Sequence, residues 1–204
     1  MSDGRDRRIL DGERTRERII EQAVRLITAG GYHRGVFMEV AAAIGVSPAT
    51  IAYHFQTREI LLQAVIVHLQ GARQRMLQAA AAHAPCGAAR IDYAIDVYGR
   101  MLEDPVFVAF AEIERLARVD PAIEATLSVA QAAFDRVEHP AAFDLVQSGG
   151  EPRLQTGRDI ARLTLEGLSC ARLSFDAEHR REDLFALLKR TARMLSREDA
   201  PEAS

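Results

Sequence analysis

The chain has 204 residues, 48% hydrophobic and 27% charged, with two cysteines and seven prolines. That length suits one or two globular domains with a real core, and a composition rich in Ala, Leu, Arg and Glu favours helix, so an all-α protein is expected. A net charge of −3 and a pI near 6.1 argue against a protein that coats nucleic acid.

The charge is unevenly spread. Residues 1–60 hold nine Arg against eight acids, and the remainder holds 17 basic residues against 21 acids. Every basic residue but Lys189 is Arg, whose planar fork suits phosphate and guanine. Cys86 and Cys170 lie far apart without metal-ligand spacing. They read as reduced core residues of a cytoplasmic protein, with a redox switch as the alternative. No apolar run approaches the ~18 residues of a membrane span, and the polar N-terminus is no signal peptide.

In chain order, residues 1–13 are polar and rich in Arg and Asp, and are expected to form a disordered arm. Helical periodicity starts near Thr15, with Ile20, Ala23, Val24 and Ile27 on one face, and ends at Gly30-Gly31. A second short helix covers about 36–44, with Phe37, Val40, Ala41 and Ile44 on one stripe. The turn Gly45-Val46-Ser47 follows. Ser47 is a good N-cap, and Pro48 suits the first position of a third helix over 48–54. That helix buries Ile51 and Phe55 and exposes Ala49, Thr50, Tyr53 and His54. Two short helices joined by a tight turn form a helix-turn-helix, whose second helix fits the major groove of DNA. Thr57 caps a long fourth helix over 58–82.

Pro85-Cys86-Gly87 breaks the pattern. Helices are then expected over 88–103, 105–119 and 121–137, the last two opened by Asp104-Pro105 and Asp120-Pro121. A loop at 147–152 precedes two final helices over 156–176 and 181–197. The domain plan is an arm at 1–13, a helix-turn-helix domain at 14–60, and a ligand-binding and dimerisation domain at 61–204.

The stretch from Arg16 to Val65 resembles the DNA-binding domain of TetR-family transcriptional regulators. The features that carry the resemblance are Ala23, Gly31-Tyr32, Val40-Ala41, Gly45-Val46-Ser47, Thr50, Tyr53-His54-Phe55 and Arg58-Glu59-Ile60-Leu61. It implies an all-α chain whose N-terminal three-helix domain is joined by a long helix to a C-terminal helical domain. It also implies a homodimer, a small-molecule effector bound in each subunit, and repression of a near-palindromic operator that the effector relieves. No cofactor and no metal are implied. The sequence departs from the family pattern at Pro48, at Gly35-Val36 and at Met38, and its third helix lacks Lys and Arg, so phosphate contacts are thinned.

Carried over by position, Ser47, Ala49, Thr50, Tyr53, His54 and Arg58 are the candidate DNA-binding residues. Thr50 is either a base contact or a solvated helix residue. Tyr53 and His54 either meet phosphate or pack on the fourth helix. Arg58 sits in a first helical turn, where a cation is unfavourable unless a phosphate lies nearby, and the alternative is a solvated Arg. Arg5, Arg7 and Arg8 of the arm could also reach DNA.

Gly167 and Ala171 form a small-xxx-small pair. With Leu163, Leu168 and Phe175, and with Leu184, Leu187, Leu188, Thr191 and Leu195 of the last helix, they make a candidate dimer face; the alternative is packing inside one subunit. Candidate effector-lining residues are Tyr93, Tyr98, Met101, Phe107, Phe110, Phe134 and Cys170, with His68 and His139, for a mainly apolar or aromatic effector. Each of them is equally readable as plain core. Two rival functions remain: a helical small-molecule binding protein without DNA binding, and an all-α enzyme using His139 or Cys170. No GxSxG, P-loop, GxGxxG or HExxH motif supports the enzyme.

Overall fold

A computed structural model describes residues 3–33, 35–87, 89–137, 152–170 and 177–197. Among these residues it shows α-helices and no strand. They are α1 (Asp3–Gly30), α2 (Val36–Ile44), α3 (Pro48–His54), α4 (Arg58–Ala82), α5 (Ala89–Met101), α6 (Pro105–Ala117), α7 (Pro121–Val137), α8 (Pro152–Cys170) and α9 (Ala177–Arg197). They fall into two compact units, one within Met1–Arg73 and Pro105–His139, the other within Gln74–Asp104 and Pro140–Ser204.

In the first unit, α1 packs on α2 and α6, α2 on α3, and α6 on α7. The apolar stripe of α1 drives this: Ile19, Ala23 and Ile27 are at most 1% exposed and share a core with Val40, Ile51, Phe55, Val65, Ile66 and Leu69. Ala109, Phe110 and Ile113 of α6, with Ile123 and Ala130 of α7, belong to that same core. The Thr28 hydroxyl reaches the Pro105 carbonyl at 3.1 Å where α1 meets the start of α6. Helices α6 and α7 therefore group with the helix-turn-helix rather than with the C-terminal region, contrary to the boundary expected after residue 60. Small Ala109 and flat Phe110 let α6 lie close on α1, a long-range match that periodicity within one helix does not reveal.

The second difference lies at the N-terminus. Residues 3–13, expected as a disordered arm, are the first turns of α1. Local bonds hold the next turn: Thr15 donates to the Asp11 carbonyl at 2.9 Å, and Arg14 pairs with Asp11 at 3.9 Å.

In the second unit, α8 packs on α9 and α5 on both. Ile91, Ile95 and Leu165 form its buried centre, with Tyr98, Leu102, Phe185, Leu188 and Ala192 around them. Ion pairs tie α9 to α5: Lys189 with Asp96 at 2.5 Å, and Arg193 with Asp92 at 3.4 Å. Arg181, also of α9, reaches Glu103 just beyond α5 at 2.7 Å. Gly99 faces the Phe185 ring so closely that a Cβ there would lie 2.6 Å from it. Cys86 and Cys170, expected in the core, are both exposed, Cys86 in the Pro-Cys-Gly turn and Cys170 as the last residue of α8.

Candidate nucleic-acid interface

The turn between α2 and α3 is built by two local devices and one long-range bond. Gly45 takes a left-handed φ of 70°, which lets its N–H donate to the Ala42 carbonyl and the Val46 N–H to the Ala41 carbonyl, closing α2. Ser47 caps α3 by accepting from the Thr50 N–H at 3.1 Å, and Pro48 follows in the first helical turn. Arg18 of α1 donates to the Ile44 carbonyl at 3.3 Å, placing a cation at the negative end of α2. The N-terminus of α2 has no side-chain cap. Gly35 has no side chain to offer, and its N–H donates to His33 Nδ1 at 3.1 Å, while His33 Nε2 faces Glu39 at 3.4 Å.

These devices orient α3. Ile51 and Phe55 are fully buried beneath it, and Tyr53 stands 80% exposed. Ala49 and Tyr53, four residues apart, lie on the side opposite Ile51. One flank carries Pro48 and Ala52, both exposed, and the other carries Thr50 and His54, both half-buried. Thr50 Oγ1 lies 3.0 Å from Ser47 Oγ, so one hydroxyl proton of that pair is already engaged. His54 meets Tyr53 edge to face at 5.2 Å. Ser47 and Arg58 are exposed. The six sequence candidates thus come together on and beside one short helix, with Thr50 and His54 less open than expected.

One cation escaped the sequence reading. Arg16 of α1 holds its guanidinium 5.0 Å above the Phe55 ring, at the C-terminal end of α3. Its signal was positional: it extends the stripe of buried Ile19, Ile20 and Ala23 one turn towards the N-terminus, so it shares their face. A small cleft in the same domain is lined by Ala23, Ile27, Tyr32, Val36, Phe37, Arg58 and Leu61. Burial raises the Tyr32 pKa above its ordinary value, and the Arg58 charge opposes that rise.

The effector candidates are divided between the two units. Phe107 and Phe110 are 4% and 3% exposed within the first unit, where the Arg73 guanidinium lies 4.9 Å and 4.1 Å from their ring centres. Met101 is buried in the second unit; Tyr93 donates to the Ala80 carbonyl at 3.1 Å, and Tyr98 to Glu166 Oε1 at 2.8 Å. Cys170 and His68 are exposed. The Phe134 side chain and His139 lie outside the described residues.

The dimer candidates divide cleanly. Leu184 and Leu188 turn inward and are half-buried, and Leu168 is half-buried as well. Leu163 is 60% and Leu187 48% exposed, Thr191 is exposed, and space around Gly167 is open. Ile160 and Met194 extend the same two outward stripes. Ala171, Phe175 and the Leu195 side chain lie outside the described residues.

Residues 19–65 match the family model described as bacterial regulatory proteins, tetR family. The chain carries the N-terminal domain of the TetR family. Around that domain, the all-α build is similar to solved structures. GusR of Salmonella enterica aligns over 89% of this chain and 94% of its own, with a TM-score of 0.61 and 21% identity. A TetR-family transcription regulator from Marinobacter aquaeolei aligns over 93% and 97%, with a TM-score of 0.50 and 20% identity. The superantigen PfiT shares the fold too, over 84% and 94%, with a TM-score of 0.58 and 16% identity. No curated protein matches the sequence. A TetR-type helix-turn-helix on a helical chain of this plan marks a DNA-binding transcriptional regulator.

Proposed function

We propose that the chain is a homodimeric, effector-responsive TetR-type repressor that lays α3 in the major groove of each half of a near-palindromic operator. The observation that carries this is the outward face of α3. A Tyr 80% exposed on a helix whose other side is fully buried has no role in holding the domain together. In a helix-turn-helix that face meets DNA. Arg16 and Arg58, beside the end of α3, are placed to meet phosphate.

The second copy is supported by the outward stripes of α8 and α9. Ile160, Leu163, Leu187 and Met194 are each about half exposed or more, and open space at Gly167 lets a second backbone approach. Two copies would present two α3 helices, whose spacing sets that of the half-sites at one DNA turn, ~34–36 Å, or a multiple of it. The effector is proposed as a mainly apolar or aromatic small molecule held among the C-terminal helices. Its binding would favour the dimer state with the wrong spacing, acting through its differential affinity for the two states. Activity beside DNA places the protein in the cytoplasm, and no catalytic role is assigned.

Footprinting on the DNA upstream of the chain's own coding region tests the reading. Protection of a palindromic site that is lost in Tyr53→Ala supports it. Absence of binding to any sequence in a random-library selection overturns it in favour of a small-molecule binding protein. Affinity should fall steeply between low and physiological salt, because several phosphates per dimer release counterions.

A further inference from the structure

We infer that α3 reads its half-site mainly through thymine methyl groups, so the bases under it are A·T pairs and no guanine is required. This rests on the reading of α3 as a recognition helix, and it follows from what its outward face lacks. The middle of that face is Ala49 and Tyr53, and one flank is Pro48 and Ala52. None of these except the tyrosine hydroxyl donates or accepts a side-chain hydrogen bond. Guanine is usually recognised by Arg or Lys reaching O6 and N7, and adenine by Asn or Gln reaching N6 and N7. No residue of 48–54 is of those four types.

The remaining flank is also restrained. Thr50 is half-buried, and its hydroxyl is coupled to Ser47, which at the same time caps the helix. Turning Ser47 fully to a base would weaken the bond that starts α3, and turning the Thr50 hydroxyl would give up its bond to Ser47. What Thr50 offers freely is its methyl group. His54 sits one turn further on, edge-on against Tyr53 and half-buried, away from the N-terminal residues that reach base edges in this motif. The face is therefore a patch of methyl, ring methylene and aromatic edge. In the major groove only thymine presents an apolar group, its C5 methyl, and Ala and Thr methyls are its usual partners. Orientation and non-specific grip then fall to Arg16 and Arg58, which carry no sequence information.

The experiment is a selection with the full chain from a random double-stranded library, followed by a methyl scan of the recovered site. Each thymine of the half-site is replaced in turn by deoxyuridine, which keeps every donor and acceptor and removes only the C5 methyl. Binding is read by fluorescence anisotropy. Two or more thymines per half-site should each lose roughly fourfold in affinity, the scale of one buried methyl, while replacements outside the half-site change nothing. In parallel, Ala49→Arg should move the preference at one position from A·T to G·C. A recovered motif built on invariant guanines, or indifference to every uracil, overturns the inference and leaves DNA binding standing. Recovery of no motif removes the underlying reading with it.

Discussion

The two units solve the same problem to different degrees. The first closes on itself: Ile19, Ile51, Phe55, Ile66, Leu69 and Ile113 are all fully buried, and what remains outside on α3 is small or polar apart from one tyrosine. The second has a thin centre of Ile91, Ile95 and Leu165 and leaves leucines, an isoleucine and a methionine facing outward on α8 and α9. Its surface is held instead by ion pairs from α9 to α5, which contribute little each when they are as open as these. The contrast separates a part that closes on its own core from a part that leaves an apolar face open, the face proposed above to meet a second copy.

The largest effect should come from charging the proposed dimer face. Leu163→Glu with Leu187→Glu should convert the dimer to monomer in analytical ultracentrifugation and abolish operator binding, yet leave the helical circular dichroism intact. An unchanged sedimentation coefficient would break the contrast. Next, Phe55→Ala empties the closed core beneath α3 and should destabilise the first unit by about 3–5 kcal/mol in urea titration. The same truncation at exposed Leu163 should cost far less in a monomeric background.

Smaller effects sharpen the comparison at the turn. Gly45→Ala forces a Cβ into a left-handed backbone and should cost about 1–2 kcal/mol. Ser47→Ala removes the α3 cap and should cost about 1 kcal/mol, with operator affinity falling further than stability. The weakest is a pH effect at Tyr32. Its pKa is raised by burial, so the folded state resists ionisation. The stability it contributes is complete below the unfolded value of about 10 and is lost as pH rises through the higher folded value. Tyr32→Phe should flatten that alkaline limb of a stability-against-pH curve.

Much of this was legible in the chain. Helices α2, α3, α4 and α7 begin and end where caps and periodicity place them, because Ser47-Pro48, Thr57 and Asp120-Pro121 act within a few residues. Ile60 N–H donates to Thr57 Oγ1 at 3.3 Å, and Ala122 N–H donates to Asp120 Oδ1 at 3.0 Å. The exposed Ala49, Tyr53 and Arg58 were legible for the same reason: Ile51 and Phe55 fix the inward side. Properties that depend on distant partners were not. The packing of Phe107 and Phe110 was not legible, because nothing local says that α6 joins α1. Thr50 looked open because its hydroxyl bond to Ser47 depends on the turn's final geometry. The cysteines looked buried by residue type, although Cys86 sits in the turn between α4 and α5 and Cys170 is the last residue of α8, both exposed.

The missing side chain at Gly99 reaches further than its own surroundings. The Phe185 ring fills the notch it leaves, like a key in a ward. That seat fixes the rotation of α9 about its long axis, and with it the bearing of Leu187 and Met194 on the far side. A bulkier residue at position 99 would turn the helix and swing those two side chains aside, so a position away from the proposed dimer face would govern whether a second copy can attach there.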